Sequence, residues 1–89
     1  MEELINRFNN LYSKLNIEEK KKRARELTEL SVKPDFWQDS QKAGKQMAEL
    51  SELRKELEKV ELLNLYKEEK AWEDLEKGLN EAEFLVYLS

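Results

Sequence analysis

The 89-residue chain has no cysteine and no histidine. The first absence excludes a disulfide framework and a thiolate metal site. Together they remove the commonest metal ligands, the usual general base and every Cys/His nucleophile arrangement. Proline occurs once and glycine twice, with the glycines far apart, so the chain holds no phosphate-cradling loop. Residues branched at Cβ are limited to Ile5, Ile17, Thr28, Val32, Val60 and Val86, too scattered for a sheet. No apolar run approaches the roughly 20 residues of a membrane span. The acidic start, Glu2-Glu3, does not look like a signal peptide. Cysteine-free composition suits a reducing cytosol, so a soluble cytoplasmic protein is expected.

What is present is charge on a helix-forming background. Charged residues make up 40% of the chain and hydrophobic ones 39%. That is the composition of long amphipathic helices or a coiled coil. The length predicts a single helical domain over residues 1–89. The net charge of −4 is unevenly spread. Residues 1–45 hold ten Lys/Arg and eight Asp/Glu, and residues 46–89 hold six and twelve. The acidic second half disfavours nucleic-acid binding over the whole surface, so an RNA contact would have to come from the first half.

Apolar spacing predicts the elements. Leu4, Phe8, Leu11 and Leu15, with Ile5 and Tyr12 beside them, mark a first helix over residues 2–15. Asn16-Ile17-Glu18-Glu19 reads as an N-cap followed by a capping-box glutamate, although a helix continuous through Asn16 fits equally well. A second helix covers residues 17–31 on Ile17, Ala24, Leu27 and Leu30. Lys33-Pro34-Asp35-Phe36-Trp37-Gln38-Asp39 then interrupts it. Proline lacks an N–H and pushes Lys33 out of the α region, Asp35 can accept local backbone hydrogen bonds, and Phe36 and Trp37 supply a large apolar surface. Asp39 or Ser40 can cap the long helix that follows. Its stripe of Ala43, Met47, Leu50, Leu53, Leu57 and Val60 is close to a heptad seam. Residues 67–70 lack apolar side chains and read as a loop or solvated turn. A last helix follows on Ala71, Trp72, Leu75, Leu79, Ala82, Leu85 and Val86, weakened by Gly78.

No isolated helix can bury these stripes. The expected fold is all-α: a three- to four-helix antiparallel bundle with a long coiled-coil-like helix after the Pro-Asp-Phe-Trp corner. Phe8, Tyr12, Trp37, Tyr66 and Trp72 are the candidates for its bulky core and ends.

The sequence shows no catalytic constellation. Glu18/Glu19, Glu68/Glu69 and Glu73/Asp74 sit in charge-rich helical contexts and read as solvated faces. Ser13, Ser31, Ser40, Ser51 and Ser89 have no histidine or nucleophile elbow near them. A non-enzymatic chain without cofactor or metal is expected. The basic run Lys20, Lys21, Lys22, Arg23 and Arg25 is the one electrostatic candidate for an RNA or partner contact. Successive residues lie about 100° apart on a helix, so the run wraps the cylinder. Glu18, Glu19, Glu26 and Glu29 bracket it with in-helix partners, which favours a solvated face.

The order of charged helix, Pro34-Asp35-Phe36-Trp37 corner and Leu/Glu/Lys helix resembles the N-terminal helical domain of bacterial peptide chain release factor 2. The likeness is strongest over residues 21–60 and weak beyond residue 65. It implies that Pro34, Asp35 and Trp37 form the family's structural corner. It implies an N-terminal fragment of a larger translation termination factor, non-catalytic, contacting the large-subunit stalk base of the ribosome and the release-factor GTPase. The family's Gly-Gly-Gln hydrolysis loop and Ser-Pro-Phe-type decoding tripeptide do not occur here. Two other readings are a structural coiled-coil dimerisation module, against which the corner favours a monomer, and a tRNA-binding helical arm.

Overall fold

Three local devices divide the chain into helices, and each follows from a residue type. Asn16 holds φ of 53°, in the left-handed region that asparagine tolerates. Its N–H donates to the Ser13 carbonyl at 3.2 Å, which ends the first helix. Pro34 supplies the second break, with Lys33 extended at φ −86° and ψ 135°. Lys70 supplies the third, with φ of 58°. There the Lys70 N–H donates to Lys67 O and the Ala71 N–H to Tyr66 O, the paired bonds of a Schellman motif.

The computed structural model describes residues 1–87. The protein is all-α, as its composition predicts. Helix α1 spans Glu2–Lys14, α2 Ile17–Ser31, α3 Ser40–Glu68 and α4 Trp72–Tyr87, and a short 3₁₀ helix covers Pro34–Gln38. No strand occurs among the described residues. Asn16 is therefore the left-handed terminator of α1, whereas an N-cap would be extended. Asp39 caps α3: its Oδ1 accepts from the Lys42 N–H at 3.1 Å, and its carbonyl accepts from the Ala43 N–H at 2.9 Å.

The helices pack into two compact units, Met1–Asn16 with Lys59–Ser89, and Ile17–Glu58. In the first, Phe8 and Leu11 of α1, Val60 and Leu63 of α3, and Leu75 and Leu79 of α4 are buried. Helices α3 and α4 form an antiparallel hairpin about the Lys70 turn. Helix α1 runs in the same direction as α4, since Arg7 meets Asn80 and Glu83 while Lys14 lies over the Tyr87 ring. Gly78 has a packing reason: a Cβ there would collide with Leu63 Cδ2. Lys67, in the stretch expected to be solvated, is half-buried with its Nζ 4.6 Å from the centre of the Phe8 ring. The stretch lacks apolar residues, but a lysine stem covers apolar surface while its ammonium meets a π face.

In the second unit, Ile17 and Leu27 of α2 are buried, as are Ala43 and Leu50 of α3. The two helices form an antiparallel pair around the 3₁₀ corner. The predicted heptad stripe is thus largely covered within the chain: Ala43, Leu50 and Val60 are buried, and Met47, Leu53 and Leu57 are half-buried. Each fully buried leucine contributes on the order of 1.5–3 kcal/mol.

Candidate functional site

The corner begins where α2 runs out of hydrogen-bond donors. The last carbonyls of a helix find no N–H inside it. Here the Trp37 indole Nε1–H donates to the carbonyl of Ser31, the final residue of α2, at 2.9 Å. The Ser31 hydroxyl donates to Thr28 O at 2.7 Å, satisfying a second such group. A 3₁₀ helix turns about 120° per residue, so neighbours in it face different directions. Phe36 is half-buried, while Trp37 remains 54% exposed. The rings meet edge-on, 4.9 Å between centroids and 85° between planes.

Trp37 therefore corrects its assignment to the core. Its indole is held against the end of α2 by a polar bond, and much of its surface faces solvent. Of the other aromatic candidates, Phe8 is buried, and Tyr12, Tyr66 and Trp72 are half-buried. The carboxylate that accepts from backbone at the corner is that of Asp39, with none accepted by Asp35 among the described residues. Pro34 and Asp35 are exposed. An open cavity of about 340 Å³ lies beside the corner, lined by Leu30 and Phe36 together with Lys33, Asp35, Asp39, Lys42 and Gln46.

The basic run lies on α2, and the structure divides it. Arg23 grips Glu49 of α3 with both ends of its guanidinium, Nε at 2.6 Å and Nη2 at 3.1 Å, and lies 3.7 Å from Glu26. Lys20 pairs with Glu56 of α3 at 2.5 Å. Lys21 has a longer contact with Glu18, at 3.9 Å. Lys22 and Arg25 are exposed and make no ion pair among the described residues. The hydrogen bond from Arg23, reinforced by its charge, holds the Glu49 carboxyl below its ordinary value. The same bond to Glu49 raises the Arg23 guanidinium further, against partial desolvation.

Sequence reasoning finds the in-helix partners Glu18 and Glu26 but misses Glu49 and Glu56. A signal for them exists. They lie seven residues apart and immediately precede Leu50 and Leu57 of the seam, the flanking heptad positions where cross-helix ion pairs form. It also misses the corresponding clasp in the other unit. There Arg7 donates to Glu83 through Nη2 at 2.6 Å and Nε at 3.3 Å, and to Asn80 Oδ1 at 2.7 Å. The hydrogen bond with Glu83 raises the Arg7 guanidinium despite its desolvation.

No group of three or more Asp or Glu able to hold a metal ion occurs among the described residues. No helix among them is long and apolar enough to cross a membrane. The chain matches no family model, and no solved structure matches it.

Proposed function

We propose that this chain is the non-catalytic N-terminal recognition domain of a translation termination factor, contacting the ribosome at the stalk base or the GTPase that recycles release factors. The observation that supports this reading best is the corner. Its Pro34-Asp35-Phe36-Trp37 sequence joins two charged helices, and its Trp37 is anchored by the indole nitrogen while the ring stays open to a partner. An exposed aromatic held in one orientation loses little freedom on docking, and such residues carry much of the energy of recognition surfaces.

The cation inventory narrows what else the surface can contribute. With Lys20 and Arg23 engaged by Glu56 and Glu49, Lys22 and Arg25 are the free members of the run, joined by weakly held Lys21. A few cations support a local phosphate contact beside a protein contact. They do not make the continuous basic stripe that a tRNA-binding arm needs. Burial of Ala43, Leu50, Val60 and Leu63 within the chain argues against a parallel coiled-coil dimer through α3.

The test is cosedimentation with ribosomes at near-physiological salt, and competition there with full-length release factor. Saturable binding that full-length factor displaces is expected. Trp37→Ala should weaken it, and Lys22→Ala/Arg25→Ala should lower the salt slope by about one for each phosphate no longer neutralised. Absence of both binding and competition would remove the proposal.

A further inference from the structure

The first unit carries a feature that recognition through the corner leaves unused. Residues of α3 and α4 line an open groove of about 320 Å³. Its apolar lining comes from Leu62, Leu63 and Tyr66 of α3 and from Gly78, Ala82 and Leu85 of α4. Gly78 and Ala82 keep the α4 wall low, and Leu62 and Leu85 stand 46% and 51% exposed along the edges. Leu65 and Phe84 of the same two helices are also exposed, at 45% and 62%, outside the groove lining.

The unit that carries the groove is acidic as a whole, while the charged residues lining the groove itself, Lys59, Asp74, Lys77 and Glu81, balance. Residues 1–16 and 59–89 hold ten Asp/Glu and six Lys/Arg, net −4, the whole formal charge of the chain; residues 17–58 hold ten of each. Helix α4 alone carries five carboxylates against Lys77. Glu83 is engaged by Arg7, but Asp74 and Glu81, which line the groove, have no cation within 4.0 Å among the described residues. Lys59 and Lys77 also line it, on long stems that can swing outward. A second copy docked through this groove would bring two acidic α4 helices together.

We propose that the α3–α4 groove is a docking site for an amphipathic helix of a partner protein, its leucine-type face on the apolar lining and lysine or arginine along its flanks. A helix laid in a groove uses anchors at spacings of three, four and seven, and small residues in the groove lining admit it closely. The acidic field of the unit would draw such a helix in and fix its flanks. The inference does not rest on the release-factor reading, and its test can fail without affecting that one.

The probe is an 18-residue synthetic helix with leucines alternately three and four apart and lysine along the flanks of that stripe, titrated into the intact chain. Nuclear magnetic resonance shifts should move at Leu62, Tyr66, Ala82 and Leu85, and binding should be saturable. Leu62→Ser/Leu85→Ser, which changes only exposed side chains, should weaken it about tenfold or more. A peptide with glutamate in place of lysine should bind at least about tenfold more weakly. Trp37→Ala, in the other unit, should leave the affinity unchanged. The proposal is overturned if the lysine peptide does not bind. It is equally overturned if the serine pair leaves binding intact, or if sedimentation reveals a dimer that the serine pair dissociates, making a second copy the occupant.

Discussion

Trp37 illustrates how a single side chain can be large, aromatic and still not belong to a core. Half of its surface is solvated, and what fixes it is one hydrogen bond to the end of α2 and an edge contact with Phe36. A neutral hydrogen bond contributes about 0.5–1.5 kcal/mol and an aromatic pair a similar amount. Trp37→Ala should therefore cost about 1–2 kcal/mol, against the roughly 3–5 expected for a buried aromatic. Trp37→Phe, which keeps an aromatic ring but deletes the donor, should cost about 1 kcal/mol. Leu27→Ala, at a fully buried position, should cost about 2–5 kcal/mol. Urea denaturation of the three variants checks the order. A Trp37→Ala loss equal to that of Leu27→Ala would mean the indole is packed inside after all.

At the scale of the helices, boundaries are decided by backbone conformation, and one of them uses an unsuitable residue. Lys70 occupies the left-handed C′ position of α3, where a residue with a Cβ is disfavoured by about 1–2 kcal/mol. Lys70→Gly should raise stability by about 1 kcal/mol, the strain relief less the extra freedom glycine has when unfolded. The readout is the urea midpoint at unchanged slope. A lower midpoint would mean that the Lys70 side chain contributes more than its backbone strain costs.

Legibility from sequence follows the same line between backbone and side chain. The Pro34 break, a cap at Asp39 or Ser40 and the heptad stripe are readable because each is a local chemical constraint on the chain. The structure places the cap on Asp39. The break at Asn16 stays open, since asparagine both caps helix starts and ends helices in the left-handed region, and only φ separates the roles. Gly78 reads as a weak point because propensity is local, whereas the side chain that a Cβ there would displace is that of Leu63, fifteen positions away. Glu49 and Glu56 are partners across a helix pair, and the in-helix spacing of three to four does not point to them. The candidate site divides in the same way: the corner is readable as a corner, but the outward face of Trp37 depends on the pitch of a 3₁₀ turn.

Across the whole molecule, 20 carboxyl and 16 basic side chains act with no histidine among them. No side chain of ordinary pKa then titrates between about pH 6 and 8, so stability should be flat across that window. The acid limb has a named contributor. Glu49 is held below its ordinary value of 4.5, chiefly by the hydrogen bond from Arg23. A carboxyl whose pKa is lower in the folded state stabilises the fold above its unfolded pKa. That contribution is lost as pH falls from there through the folded value. Arg23→Gln should accordingly be less stable than the parent chain at neutral pH, and the difference should close as pH falls below 4.5. Both residues are exposed enough that solvent screens the pair, so added salt should shrink the same difference. In the variant, the Glu49 carboxyl followed by nuclear magnetic resonance should titrate higher than in the parent. A stability difference that persists undiminished to about pH 3, well below ordinary carboxyl values, would show that Arg23 acts through its packing on α3 and not through its charge.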